Sequence, residues 1–306
     1  MTTNNKLTLT IGISALNEAA NIQNLLRNLL IQNQTNFELA EIIVVSDGST
    51  DATVQKASEL NNPKIKIVDN KTRGGKLTRV NDIIDMAQSD IIAIIDADTL
   101  PTSADTFNYL LEPFVQDPET VYVSGELVAV KPSTFIEKAV LVSRSVWDKI
   151  RITLKNGKSI YTVHGALYAF KKDFAKANKF PKEIWADIGF HYFLCLKNNL
   201  QYSPAPKASV NFKLPATIKD YANQIERYQR EDTALINYFG KQIENEYSIP
   251  KSMLYRYKAE AFVKYPIHCL VILAINFYTQ HFKAKNTQNS QKAWKEISST
   301  KKAIIQ

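Results

Sequence analysis

The sequence predicts an α/β fold, a mostly parallel central sheet flanked by helices on both faces, with a helical C-terminal region. Three observations carry that prediction. Short, wholly apolar runs at residues 42–45 and 91–95 read as strands buried on both faces, the pattern of a parallel sheet. Between such runs lie stretches with apolar residues at helical spacing, so strand and helix alternate through the first hundred residues. Near Pro215 the sheet-like pattern stops and helical periodicity takes over.

Each element follows in order. Residues 7–13 form the first strand candidate, and 19–31 place Ile22, Leu25, Leu26, Leu29 and Leu30 on one helical face. Residues 42–45 are the second strand and 50–60 the next helix, with Ser49 or Thr50 as its cap. Residues 64–68 alternate as a strand, 75–88 are helical, and 91–95 are the fourth strand. Repeated units of this length imply right-handed crossovers and a doubly wound sheet. Beyond them, 120–130 and 160–170 are expected as longer strands separated by a helix over 135–152. Further helices are expected at 186–197 and 218–238. No internal repeat or low-complexity linker occurs, so the boundary falls near Pro215, between a domain over 1–215 and a helical region over 216–306.

Composition narrows the class. A chain of 306 residues, 45% hydrophobic and 22% charged, suits one large or two modest globular domains and excludes disorder. Two cysteines in apolar surroundings, Cys195 and Cys269, exclude a disulfide framework and fit a reducing, cytoplasmic compartment. Residues 1–6 are polar and lead into a strand-like run, so no signal peptide is expected. The net charge of +8 could serve an anionic substrate, a membrane surface or nucleic acid and does not by itself choose among them; no nucleic-acid partner is expected. Residues 280–306 carry Lys283, Lys285, Lys292, Lys295, Lys301 and Lys302 against the single acid Glu296. The apolar segment 265–278 falls short of the roughly 20 residues a membrane-spanning helix needs. It is expected as a core helix or as an interfacial one.

Two acidic clusters follow buried strands. Asp47-Gly48-Ser49-Thr50-Asp51 comes after the second and Asp96-Ala97-Asp98 after the fourth. In an open α/β sheet, ligands bind outside the carboxyl ends of the strands, so both clusters reach one edge. Hard divalent cations take carboxylate oxygens and keep waters and substrate phosphates as their other ligands. A bare Asp-x-Asp is common in solvated turns; its place after the fourth strand, with Asp47 after the second, points to a metal and a nucleotide. Arg73-Gly74-Gly75-Lys76 follows the third strand and opens a helix. Its glycines allow close backbone approach, and a helix N-terminus beside two cations favours phosphate.

Asn17-Glu18, the Asp47 to Asp51 turn, Gly75-Lys76 and Asp96-Ala97-Asp98 jointly resemble the family 2 glycosyltransferases of the GT-A fold. Order and spacing agree over the first hundred residues, and later motifs extend the likeness to about residue 230. The resemblance implies an inverting, metal-dependent glycosyltransferase using Mn²⁺ or Mg²⁺. It would move sugar from a nucleotide-diphosphate donor, most often UDP-linked in that family, to a hydroxyl of a saccharide or lipid-linked acceptor. By the same resemblance Asn17, Glu18 and Asp47 contact the base and ribose, and Lys76 belongs to the donor site. Asp96 lies near the ribose, sugar and metal, and Asp98 ligates the metal that holds the diphosphate.

The second half extends the likeness. His164-Gly165-Ala166, followed by Lys171-Lys172, resembles the acceptor-side Gly-Ala segment and makes Gly165 and Ala166 acceptor-binding candidates. Trp185-Ala186-Asp187 stands where the family has Glu-Asp at the start of a helix, which makes Asp187 the catalytic base, with Ala186 in place of the Glu. The competing reading is that Asp187 caps the helix after it. Gln224-Ile225-Glu226-Arg227-Tyr228 resembles the Gln-x-x-Arg-Trp motif of processive polysaccharide synthases, with Tyr for Trp. Gln224, Arg227 and Tyr228 share a helix face; Arg227 would neutralise the departing diphosphate and Tyr228 stack on an acceptor sugar. The competing reading is a plain amphipathic helix.

Other classes fit less well. A paired-carboxylate hydrolase leaves Arg73 to Lys76 unexplained. A sugar-phosphate nucleotidyltransferase should carry a Gly-rich, Arg-containing loop after the first strand, and residues 14–20 have none. A dinucleotide-binding dehydrogenase should show Gly-x-Gly-x-x-Gly after a strand, which is absent. The alternative of a different class is a non-catalytic nucleotide-sugar-binding subunit. The region over 216–306 is expected at the cytoplasmic face of the membrane, where the lysines over 283–302 would meet anionic lipids.

Overall fold

The apolar runs of the first hundred residues become four adjacent strands at one end of an eight-stranded sheet. The computed structural model describes residues 6–184, 187–279, 299–301 and 303–304. The chain divides into two units, Met1–Val128, Val163–Phe212 and Ala303–Gln306 in the first, Ala129–Thr162 and Lys213–Lys302 in the second.

In the first unit β1 (Leu7–Ala15), β2 (Phe37–Asp47), β3 (Ile65–Asn70) and β4 (Ile91–Ile95) pair in parallel. All five side chains of β4 are buried, which explains why its sequence shows no polar alternation. The connections are α1 (Ile22–Leu30), α2 (Thr53–Ser58) and α3 (Lys76–Met86). α1 buries Ile22, Leu25, Leu26 and Leu29, the face its spacing predicts. α3 seats Val80, Ile83 and Ile84 on the sheet, and a Cβ at Gly12 of β1 would come within 2.4 Å of Ile83 Cγ2. That close seat fixes α3, and so Lys76 at its start.

After β4 come β5 (Leu100–Pro101), α4 (Thr106–Gln116) and β6 (Thr120–Ala129), then β7 (Leu167–Lys171), the short α6 (Lys172–Ala177) and β8 (Gln201–Phe212). β7 runs antiparallel to both β4 and β6. The sheet is therefore parallel across its first four strands and antiparallel where β7 joins. This reversal brings the start of β7 to the end of β4, with Leu167 opposite Ile95.

Two expectations need correction, and one strand stands where none is expected. The strand expected over 160–170 is ordered as a strand only from Leu167; Ile160–Thr162 is a short 3-10 turn. The Thr162 amide and hydroxyl both donate to Ser159 O, a local pairing that competes with a sheet ladder. The helix expected at 186–197 begins at Phe190, because Gly189 takes φ 94° just before it. β8 was not foreseen, since Pro204 and Pro206 inside it argue against a strand.

The second unit is helical. α5 (Phe135–Thr153) opens with a capping box in which Thr134 Oγ1 accepts from Glu137 N and the Glu137 carboxylate accepts from Thr134 N. α5 packs against α9 (Lys251–Lys264) and α10 (Pro266–Tyr278), and Val146, Ile150 and Leu154 meet Met253, Leu254 and Tyr257. α8 (Ile218–Phe239) is capped by Thr217, whose hydroxyl accepts from Asp220 N at 3.1 Å. No helix of the described residues is long and apolar enough to cross a membrane.

Candidate active site

The turns after β1 and β2 are stapled to each other. Asn17 takes φ 54°, a left-handed conformation that asparagine tolerates. Its Oδ1 accepts from Thr50 N at 2.9 Å, and its own amide donates to Ser49 Oγ at 3.1 Å. Glu18 N donates to Thr53 Oγ1 at 2.7 Å and Ala19 N to Asp51 Oδ2 at 3.1 Å. Ser49, Thr50 and Asp51 thus hold the turn that carries Asn17 and Glu18. The Glu18 carboxylate is buried and accepts from Asn21 Nδ2 at 3.0 Å.

Asp47, at the end of β2, is buried and organises the loop before α3. Its carboxylate accepts from Gly74 N at 2.6 Å, Gly75 N at 3.0 Å and Arg79 Nε at 2.8 Å. The two amides read from sequence as a phosphate cradle are therefore engaged by Asp47. Arg79 was missed at the level of sequence. Its guanidinium also donates to Asp82 and to Thr72 O, closing the loop from both sides. A charged residue on the buried face of α3 is the signal that could have marked it.

The centre of the site is Lys76. Its ammonium lies 2.5 Å from Asp96 Oδ1, 2.5 Å from Asp187 Oδ2 and 2.9 Å from Gly165 O. Four residues from separate stretches of chain meet here: the start of α3, the end of β4, the turn before β7 and the segment before α7 (Phe190–Lys197). Burial would lower the lysine's pKa, but the carboxylates of Asp187 and Asp96 outweigh it and hold the group above the usual lysine range. The Asp96 carboxyl is pushed up to about 6, by burial first, with Asp98 and Asp187 adding to it while Lys76 pulls it down.

Gly165 explains how Asp187 is aimed. A Cβ at position 165 would lie 2.5 Å from Asp187 Oδ2, so the carboxylate rests directly on the glycine backbone. Asp96 N donates to Ala166 O at 3.0 Å, tying the same turn to the end of β4. Asp187 does not cap the helix after it: its Oδ1 accepts from the adjacent Ile188 N at 3.0 Å, and α7 starts past Gly189 with no side-chain cap. Trp185 and Ala186, which precede it in the motif, lie outside the described residues. His164 is buried, donates its amide to Ser124 Oγ at 2.8 Å and has Nε2 3.4 Å from Glu126 Oε1.

Tyr168 on β7 is a second residue that sequence reasoning missed. Its hydroxyl is buried with no hydrogen-bond partner among the described residues. Burial, then Asp187 and Asp96, raise its pKa well above the usual phenol value, so it stays a neutral donor beside those carboxylates.

Among the described residues no group of three or more His, Cys, Asp or Glu side chains is arranged to hold a metal ion. Asp96 and Asp98 form a two-carboxylate, oxygen-only set, and the negative charge of Asp98 is among the causes that lift the Asp96 pKa. A hard divalent cation that keeps waters and phosphate oxygens as its remaining ligands fits such a pair.

Gln224, Arg227 and Tyr228 lie on α8 in the second unit. Arg227 Nε is 3.5 Å from Glu231 Oε1, and its guanidinium stands 5.4 Å from the Tyr228 ring centroid. The neighbouring Arg230 pairs with Glu226 at 2.5 Å. Of the C-terminal lysines, Lys301 is described and Lys283, Lys285, Lys292, Lys295 and Lys302 lie outside the described residues.

A sequence profile described as glycosyl transferase family 2 matches residues 10–176. A comparison with curated protein sequences finds no match. Among solved structures, the chain is similar to the mannosyltransferase PcManGT from Pyrobaculum calidifontis, in complex with GDP-Man and Mn²⁺. That likeness has a TM-score of 0.58 and 21% identity over 94% of this chain and 77% of that one. Glucosyl-3-phosphoglycerate synthase from Mycobacterium tuberculosis, with Mn²⁺, UDP and phosphoglyceric acid, matches with a TM-score of 0.53 and 16% identity over 76% and 79%. S. aureus TarS 1-349 with UDP matches with a TM-score of 0.52 and 20% identity over 76% and 66%. At these identities the neighbours establish the fold, a central sheet flanked by helices of the GT-A kind.

Proposed function

Because the chain belongs to glycosyl transferase family 2, we propose that it moves a sugar from a nucleotide-diphosphate donor to an acceptor hydroxyl, with inversion at the anomeric carbon. The observation that carries this reading is the Lys76 constellation, in which Asp187 is held on Gly165 beside Asp96. A base fixed by a close backbone contact and an ion pair is pre-aimed for a single proton transfer.

In the proposed reaction the acceptor oxygen attacks the anomeric carbon as the bond to the diphosphate breaks. The acceptor proton passes to Asp187, and the electron pair of the broken bond leaves on the diphosphate. The transition state is oxocarbenium-like, as in glycoside hydrolysis. Asp98, with Asp96, would hold a divalent cation, Mn²⁺ or Mg²⁺, which when bound offsets the diphosphate's charge. Asn17, Glu18 and Asp47 sit on the stapled turns and would border the base and ribose, Asp47 by holding the loop that begins α3. Lys76 bridges Asp96 and Asp187 and so fixes their spacing at the donor site. For Gln224, Arg227 and Tyr228 the support is the motif and its spacing on α8, with Arg227 proposed to neutralise the leaving diphosphate and Tyr228 to stack on the acceptor.

The donor is proposed as UDP-linked and the acceptor as a saccharide or a lipid-linked glycan. The structural neighbours solved with GDP-Man, UDP and Mn²⁺ support a nucleotide-sugar donor and a divalent cation. The site of action is proposed as the cytoplasmic face of a membrane. Nucleotide release from a panel of UDP- and GDP-sugars, with and without Mn²⁺ or Mg²⁺, tests the reading. Cation-dependent release from one donor is the expected outcome. Saturable nucleotide binding with no release, even with glycan or lipid acceptors added, would overturn it.

A further inference from the structure

α10 is apolar but for His268 and Asn276, yet only one side of it is buried. Ile272, Ile275 and Thr279 face inward, while Ile267, Leu270, Leu273 and Phe277 on the other side are 64%, 56%, 56% and 58% exposed. A helix apolar on every face belongs in a protein interior or against lipid. On α9, Tyr255, Phe262 and Val263 are exposed as well, the last by 84%. Single exposed apolar residues are ordinary, but a contiguous row marks an interaction site.

The charges around the row are mostly positive. Lys251, Arg256, Lys258 and Lys264 are exposed on α9. The only acid in either helix, Glu260, is already paired with Lys149 at 2.6 Å and Arg256 at 3.1 Å. Beside the joint of the two helices, between α5 and α9, lies a cavity of about 340 Å³. Lys138, Lys149 and Lys264 line it together with Leu141, Val146 and Ala261. Cations set over an apolar wall suit a phosphate head with the first carbons of a chain attached.

We propose that the α9–α10 surface seats on an anionic lipid bilayer. α10, with 13 residues, is too short to span and lies in the plane of the interface. Ile267, Leu270, Leu273 and Phe277 enter the acyl boundary, and Lys138 and Lys264 meet headgroup phosphates. The inference rests on the membrane-face part of the proposed function and names the surface that performs it. It needs no donor chemistry.

Vesicle flotation of the full chain tests it, using phosphatidylcholine alone and an equal mixture with phosphatidylglycerol. Flotation with the anionic vesicles, weakened by salt, is expected for the wild type. Leu270→Glu/Leu273→Glu should abolish it, and both positions are exposed, so the fold and nucleotide release remain. Lys138→Glu and Lys264→Glu should each weaken anionic binding at least roughly fivefold, the equivalent of about 1 kcal/mol per cation. Wild-type flotation that the leucine variant retains would overturn this surface while leaving the membrane reading intact. No wild-type flotation would overturn both, and nucleotide release measured without vesicles tests the transferase separately. A lipid-free dimer that the leucine variant abolishes, with no flotation, would assign the face to a second copy of the chain and overturn the proposal.

Discussion

Asp187 is held by two contacts that sequence alone does not connect, the Lys76 ammonium and the bare Cα of Gly165. Asp187→Asn keeps the shape and removes the base, so turnover should fall roughly 10²–10⁴-fold with nucleotide binding unchanged, as measured by steady-state release and titration. Near-wild-type turnover would remove Asp187 from the role. Gly165→Ala tests aim instead of chemistry. Its methyl must displace the carboxylate, and misplacement by about an ångström should cost on the order of 10²-fold in kcat with donor KM little changed. The residues legible in the sequence were those in contiguous motifs. Asp96, Gly165, Asp187 and Lys76 all stand in readable motifs, but that the lysine joins the other three is a product of the fold. Arg79 and Tyr168 carry no motif, and only their burial marks them.

At the scale of elements, α7 carries a buried histidine that makes the fold sensitive to acid. The His191 ring is surrounded by Tyr122, Phe170, Phe174, Phe180 and Phe190, and its Nε2 lies 2.9 Å from Asn178 O. Burial pushes its pKa down to about 4, with the Asn178 bond opposing. The ring is neutral in the fold, while the unfolded chain takes up a proton near pH 6.5. Its contribution is therefore fully present above about pH 6.5 and is lost as pH falls toward about 4, up to about 3 kcal/mol in all. Urea midpoints compared near pH 7 and near pH 4.5 should diverge less in His191→Leu than in the wild type. An equal loss in both proteins would assign the acid limb to other groups. Elements with regular periodicity, such as α1, α8 and β4, were readable from spacing alone. β8 and the turn before β7 were not, because their prolines and local Ser159–Thr162 bonds express tertiary placement in place of pattern.

At the scale of the whole molecule, ligand binding should raise stability by mass action. A donor analogue with Mn²⁺ at a hundredfold excess over its Kd contributes about 2.7 kcal/mol to unfolding, visible as a rise in Tm. Asp98→Ala should lose the cation-dependent part of that rise while retaining the Tm of the free protein. An undiminished rise would place the cation elsewhere. The α/β class and the order of the first four strands were legible because parallel, doubly covered strands leave continuous apolar runs. The reversal of β7 was not, since strand direction is set by connections and leaves no mark on composition. That reversal also has a history in time. Lys76 and Gly165 are 89 residues apart in the chain. At about 5–20 residues per second, a ribosome takes roughly 5–20 s to add the glycine after the lysine. From the addition of Asp96 until that of Gly165 the newborn lysine has one of its three partners alone to lean on, and the carboxylate proposed to take the proton is made last of the four.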